Sequence, residues 1–301
     1  MGKAVRKVVI PVAGMGTRFL PVTKAVPKEL LPVGTVPILH VVVEEALASG
    51  VEEVVLVTSP DKASVADYFR SDTAYDKRLN ALKKEAMLES LRQITGRARF
   101  TTVTQDEPRG LGHAIHCAKK AVGDEPFLII LPDVIIESKA PCCGQLVDAY
   151  EKTGCAVNAT EHTPREKLHL YGIYDLSSSD GRFHRARGVV EKPTAEEAPS
   201  DLSVVGRYLF PPDLFSILDN TPPGRGGEIQ LADAMNELAL NGRMIAYEYE
   251  GMQFDTGDPL GFLKANIFYG RRNNEVEVDA FMREVMGEKG RGPETRTAIN
   301  E

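Results

Sequence analysis

VVIPVAGMGTRFLPVTKAVPKE, residues 8–29, decides how this chain is read. It starts as a buried strand, Val5 to Val12, turns through Gly14 and Gly16, and then carries Arg18 and Lys28 across a stretch broken by Pro21 and Pro27. A strand that runs into a glycine-rich turn followed by cations is the layout of a phosphate site. The glycines permit a tight turn that presents backbone N–H groups to anionic oxygens. Two common loops are excluded. The dinucleotide fingerprint needs a third glycine and a following helix, and here prolines interrupt. A Walker A loop closes on Gly-Lys-Ser/Thr, which is absent. Arg18 offers a planar fork of donors for two phosphate oxygens, and Lys28 adds a compact second charge. Pro27 drives Val26 toward extended geometry, so the loop can double back over a ligand. Taken alone, the loop says only that something anionic is held there.

Outward from the loop, short apolar runs alternate with helical patterns. Val54 to Thr58, Phe100 to Thr104 and Phe127 to Leu131 read as strands. Pro37 to Ser49 and Leu111 to Val122 read as helices. The strands are continuously apolar, which means burial on both faces and a parallel sheet. The expected fold class is therefore α/β: a doubly wound, Rossmann-like, mixed and mainly parallel sheet flanked by helices. Ala74 to Thr95 reads as a charged helical insertion on the outside. The second half has strands at Tyr171–Leu176, Arg185–Glu191, Val204–Leu209 and Met244–Tyr249. Helices are expected at Pro212–Asp219, Glu228–Leu240 and Pro259–Arg271. Arg243 to Asp255 is expected to return as strand and complete the first sheet. Residues 1–286 read as a single domain, and 287–301, polar and rich in Gly, Lys and Arg, as a disordered tail.

Composition narrows the function. The chain has 301 residues, 43% apolar and 26% charged, with a net charge of -7. That balance argues against a protein that coats nucleic acid. No apolar run approaches the ~18 residues of a membrane span. The N-terminus lacks the apolar stretch of a signal peptide, and Arg6 stands where myristoylation needs Ser or Thr. The four cysteines, Cys117, Cys142, Cys143 and Cys155, form no CxxC or His/Cys zinc pattern; they read as reduced thiols of a cytoplasmic protein. His113 and His116 share one helix without a third ligand or a nearby acid, and read as surface or core histidines.

Two acids and a lysine complete the bottom-up picture. Asp133 follows the strand ending at Leu131, at the strand tip where open α/β sheets bind ligands. Asp255, in FDTGD (254–258), is a second oxygen donor beside a glycine that permits close approach. Asp258 reads as the N-cap of the next helix. Magnesium takes a few carboxylates and completes its shell with phosphate oxygens and water. In VVEKP (189–193), Pro193 is expected to hold Lys192 extended, so its ammonium is aimed.

Together the segments IPVAGMGTR (10–18), PKELLPV (27–33), GLGHA (110–114), LPDV (131–134), VVEKP (189–193), VGRY (205–208), PPGRGGEIQL (222–231) and FDTGD (254–258) resemble the sugar-1-phosphate nucleotidyltransferases. Within that family they are most similar to the bacterial branch acting on UTP and glucose 1-phosphate. The likeness runs in family order from Ile10 to about Arg271. It implies the nucleotidyltransferase fold, with the sugar-binding portion at about 140–225. It also implies transfer of UMP from UTP to glucose 1-phosphate, with Mg2+ on Asp133 and Asp255. Arg18 and Lys28 would neutralise the leaving pyrophosphate and Lys192 would orient the sugar phosphate. Ala13, Gly14, Gly16, Thr17, Glu29, Gln105 and Gly110 would surround the nucleotide. Gln105 would pair with both N3–H and O4 of uracil. Gly172, Glu191 and Val204 would line the sugar site. The family also suggests a homodimer or homotetramer.

Two rivals remain at this stage. One keeps the chemistry and changes substrate, for example to dTTP or another sugar 1-phosphate. The other is a non-catalytic regulatory paralogue, whose Thr-Arg pair would be degraded; Thr17 and Arg18 are both present. Arg109 stands where the family has Lys, Met15 where it has Leu, and residues 141–170 match poorly.

Overall fold

The apolar runs around the glycine loop become the centre of a sheet. A computed structural model describes residues 4–287; apart from Gly287, the tail expected to be disordered lies outside the described residues. In chain order the strands are β1 (Lys7–Pro11), β2 (Pro32–Val33), β3 (Val36–Pro37), β4 (Glu53–Thr58), β5 (Arg99–Thr104), β6 (Phe127–Ile130) and β7 (Val134–Glu137). They continue with β8 (Ala156–His162), β9 (Gly172–Asp180), β10 (Phe183–Glu191), β11 (Leu202–Phe210), β12 (Met244–Glu248) and β13 (Met252–Asp255). Nine of them make one sheet in the order β5-β4-β1-β6-β11-β8-β12-β10-β9.

Both faces of this sheet are covered. Val8 and Ile10 of β1, with Leu128 and Ile130 of β6, enter one apolar cluster; Val9, Phe127 and Ile129 enter the other. Successive side chains of a strand point to opposite faces, so the continuous apolar runs feed two cores at once. Helices Ile38–Ala48, Cys142–Thr153 and Pro259–Asn273 pack on the first face, and Leu111–Cys117, Leu214–Asn220 and Leu231–Leu240 on the second. The fold is α/β with a mixed sheet. β5, β4, β1 and β6 run parallel, as do β8 and β12. β11 is antiparallel to β6 and β8, and β10 to β12 and β9. The C-terminal ends of β1, β4, β5 and β6 therefore open onto one edge, where the loop and Asp133 emerge.

Several expected elements are altered. Only β12 of the Arg243–Asp255 stretch joins the main sheet. The chain turns at Glu250, whose backbone is gripped by Gln145 (2.9 Å and 2.8 Å), and β13 then pairs with β7 instead. The Ala74–Thr95 segment is three short helices, interrupted at Lys83, which has φ of 55°. The helix expected from Glu228 starts at Leu231: Glu228 and Gln230 are extended, and Ile229 between them donates to Arg109 O (2.8 Å) and accepts from Gly112 N (2.9 Å). Helix Cys142–Thr153, strand β8 and helix Glu275–Val285 were not among the expected elements.

Candidate active site

The glycine loop winds through three single turns, Thr17–Phe19, Val22–Lys24 and Lys28–Leu30. Gly16 takes φ of 67°, and the Thr23 hydroxyl donates to its carbonyl at 2.8 Å. Beneath the loop lies a buried lysine not singled out from sequence. Lys62 donates to Val12 O (2.9 Å), to Gly14 O, and to both carboxylate oxygens of Glu29 (3.2 and 3.0 Å). Glu29 was expected beside the base. It is 1% exposed and pairs with Lys62, with its carboxyl raised by burial against the opposing pull of Lys62 and Lys28. This pair braces the loop from below. Lys62 sits in a polar Ser-Pro-Asp-Lys turn that looks like any surface loop.

On its outer side the loop is tied to FDTGD. Arg18 is exposed and donates to Gly257 O at 3.4 Å, and the Phe19 ring meets Phe262 edge-on at 5.5 Å. Ala13 and Gly14 follow β1 directly, so the loop hangs over the tips of the parallel strands.

Asp133 and Asp255 converge. A Cβ placed on Gly257 would lie 2.9 Å from Asp133 Oδ2 and 3.1 Å from Asp255 Oδ1. The approach is built by the β7–β13 ladder, in which Asp255 pairs with Val134. Thr256 reinforces it, donating to Asp133 O from its amide (2.7 Å) and its hydroxyl (2.8 Å). Burial, and then the charge of Asp133, push the Asp255 carboxyl upward. Lys28 Nζ stands 2.5 Å from Asp133 Oδ2. Burial pulls its ammonium down, but Asp133 and Glu29 hold it above the ordinary lysine range. Two repelling carboxylates, one of them already paired with the Lys28 ammonium, suit a hard divalent cation that takes its remaining ligands from phosphate and water. Among the described residues there is no cluster of three or more His, Cys, Asp or Glu able to hold a metal alone. Asp258 caps its helix, accepting from Leu260 N and Gly261 N at 3.0 Å each.

Under Asp133 runs an ion pair. Arg207 of VGRY is fully buried and pairs with Glu45, with a shortest contact of 2.7 Å. It also donates to Gly206 O (3.0 Å), Leu131 O (3.4 Å) and Val134 O (2.7 Å), gripping both sides of the turn that carries Asp133. Glu45 sits two helical turns past Ile38, on the buried face; that spacing was a readable signal.

The expected sugar residues also assemble. Around the position a Cβ on Gly172 would take lie Val189 (3.1 Å), Glu191 Oε2 (3.3 Å) and Val204 (3.3 Å). Lys192 differs from expectation. It is left-handed, with φ of 49°, not extended. Its amide makes the last ladder bond, to Tyr171 O (3.0 Å), after which the chain must bend sharply into Pro193. Such a conformation costs on the order of 1–3 kcal/mol. Its Nζ lies 3.3 Å from Glu191 Oε1. This end lies on the same sheet edge as the tip of β6: β11 pairs with Ile130 through Arg207 and with Ile173 through Ser203.

At the opposite end, Gln105 and Gly110 lie together past β5. Gln105 Nε2 donates to Gly110 O at 3.2 Å and lies 3.0 Å from His113 Nδ1. Its NH2 is thus engaged within the protein. Oε1 is the atom of this amide with no partner among the described residues.

A strand-tip glycine loop bearing cations, a convergent carboxylate pair and a strand-end lysine on the same sheet edge define a protein that handles nucleotides and phosphate esters. The chain matches the Nucleotidyl transferase family over residues 7–272 and belongs to it. It is 40% identical over 274 residues to the UTP–glucose-1-phosphate uridylyltransferase of Bacillus subtilis (strain 168), covering 91% of this chain and 94% of that protein. Its structure is similar to UDP-glucose pyrophosphorylase complexed with UDP-glucose (TM-score 0.81, 38% identity, 89% of this chain and 100% of that one). It is likewise similar to UTP-bound UGPase from Acinetobacter baumannii (TM-score 0.85, 37% identity, 95% and 100%).

Proposed function

We propose that the protein transfers UMP from UTP to α-D-glucose 1-phosphate, forming UDP-glucose and pyrophosphate. The observation that carries this is the convergence at one sheet edge of the cationic loop, the carboxylate pair and the Gly172–Glu191–Lys192 end. The family membership and the names of its relatives support the same reaction. The sugar phosphate oxygen attacks the α-phosphorus of UTP as the bond to the β-phosphate oxygen breaks. The attacking oxygen is already anionic, so no general base is needed, and catalysis is positioning plus charge neutralisation. Lys192 orients that oxygen, while Glu191, Gly172 and Val204 shape the sugar site. Arg18 and Lys28 neutralise the departing pyrophosphate. Ala13, Gly14, Gly16 and Thr17 cradle the phosphates, with Gln105 and Gly110 at the base. Asp133 and Asp255 would hold magnesium, which when bound supplies positive charge to the phosphates of both substrates.

The continuous sheet supports treating residues 1–286 as one catalytic domain. Four free cysteines support a reducing, cytoplasmic setting, and no helix among the described residues is long and apolar enough to cross a membrane. Family resemblance supports a homodimer or homotetramer. The test is a matrix of nucleoside triphosphates, dTTP included, against sugar 1-phosphates with Mg2+. UTP with glucose 1-phosphate should give the highest kcat/KM; a clear preference for another sugar phosphate would overturn the assignment.

A further inference from the structure

His113 has no role in the chemistry described above, yet it touches the amide assigned to the base. Gln105 closes β5, its backbone N donating to Thr58 O at 2.7 Å. It stands three strand spacings, about 14 Å, from the tip of β6, and is 6% exposed. Gly110 O is an acceptor only, so the amide group 3.2 Å from it is the NH2. The second hydrogen of that NH2 goes to His113 Nδ1, at 3.0 Å. Nδ1 must then be bare, and the imidazole proton lies on Nε2, with Cys117 Sγ at 3.9 Å beyond. Burial, then the charges of Arg109 and His116, keep His113 below the usual histidine range against the opposing pull of Glu107. Among the described residues no donor reaches Gln105 Oε1. The amide offers the cleft an acceptor and nothing else.

We propose that His113 is a positioning residue that fixes the Gln105 amide and thereby makes the site select against cytosine. The proposal rests on the reading that Gln105 meets the base. Uracil and thymine carry a hydrogen on N3 and donate it to Oε1. Cytosine N3 is a bare acceptor and would face another acceptor. Turning the amide over to serve cytosine would give up both internal hydrogen bonds, set Oε1 against Gly110 O, and require His113 to move its ring proton to Nδ1.

The test is kcat/KM for UTP, CTP and dTTP, each with glucose 1-phosphate, in the wild type and in His113→Leu, His113→Asn and Gln105→Leu. Loss of one neutral hydrogen bond predicts that His113→Leu lowers the UTP:CTP ratio about fivefold to tenfold and leaves UTP:dTTP unchanged. His113→Asn, whose Oδ1 can accept where Nδ1 did, should restore most of the ratio. His113→Met provides the same comparison if the leucine variant does not fold. An unchanged UTP:CTP ratio in His113→Leu or His113→Met, with all three substrates slowed alike, makes the histidine a packing group and overturns the proposal. An unchanged ratio in Gln105→Leu means the base is not read there, and the underlying assignment fails first.

Discussion

Arg18 and Lys192 do little for the fold. Arg18 is exposed with one 3.4 Å contact, and Lys192 is 53% exposed on a strained backbone. Strain held at an exposed cation is expected at a working position. Alanine at either should therefore lower kcat by a factor on the order of 10², while thermal unfolding moves by no more than about 0.5 kcal/mol. Near wild-type turnover in either variant would remove that residue from the mechanism. Both could be singled out from the sequence because each stands in a short motif, but the left-handed backbone of Lys192 could not be. The inward turn of Glu29 was not legible, because Lys62, the partner that determines it, lies beyond a helix and three strands. Nor was the contact of Gln105 with His113, since neither residue's own segment calls for the other.

The β7–β13 ladder and the Glu45–Arg207 pair hold the carboxylates together. Arg207 spans the turn of Asp133 from below, and Thr256 grips the same residue from the side. Removing one partner of a buried ion pair leaves an uncompensated charge, so Glu45→Ala should cost about 3–5 kcal/mol in denaturant unfolding. It should also weaken activity by loosening Asp133. A loss below about 1 kcal/mol would mean that Arg207 finds another partner and the clamp is not needed. Strands β1, β4 and β6 were readable because each is a continuous apolar run buried on both faces. The break between β12 and β13 was not, since it depends on Gln145 gripping Glu250 from a distant helix. Helix Cys142–Thr153 buries Cys142, Cys143, Leu146 and Ala149 at helical spacing, but so few large apolar side chains leave a weak pattern.

Across the molecule, the sheet reverses character between β6 and β11, and that change brings the two halves of the site face to face. The parallel half ends in the loop and Asp133; the other half presents Gly172, Glu191 and Lys192. Local patterns make the strands of the parallel half readable, but which strands pair is not local in either half: β1 pairs with β6, and β11 with β6, across long stretches of chain. The central claim is that both substrates react in this one cleft. Its most direct test is pyrophosphate release from UTP, followed with and without glucose 1-phosphate in the presence of Mg2+. The account predicts release only when both substrates are present, one pyrophosphate for each UDP-glucose formed, and its loss on chelation of the metal. Release at the same rate without the sugar phosphate, or none with it, would contradict the account.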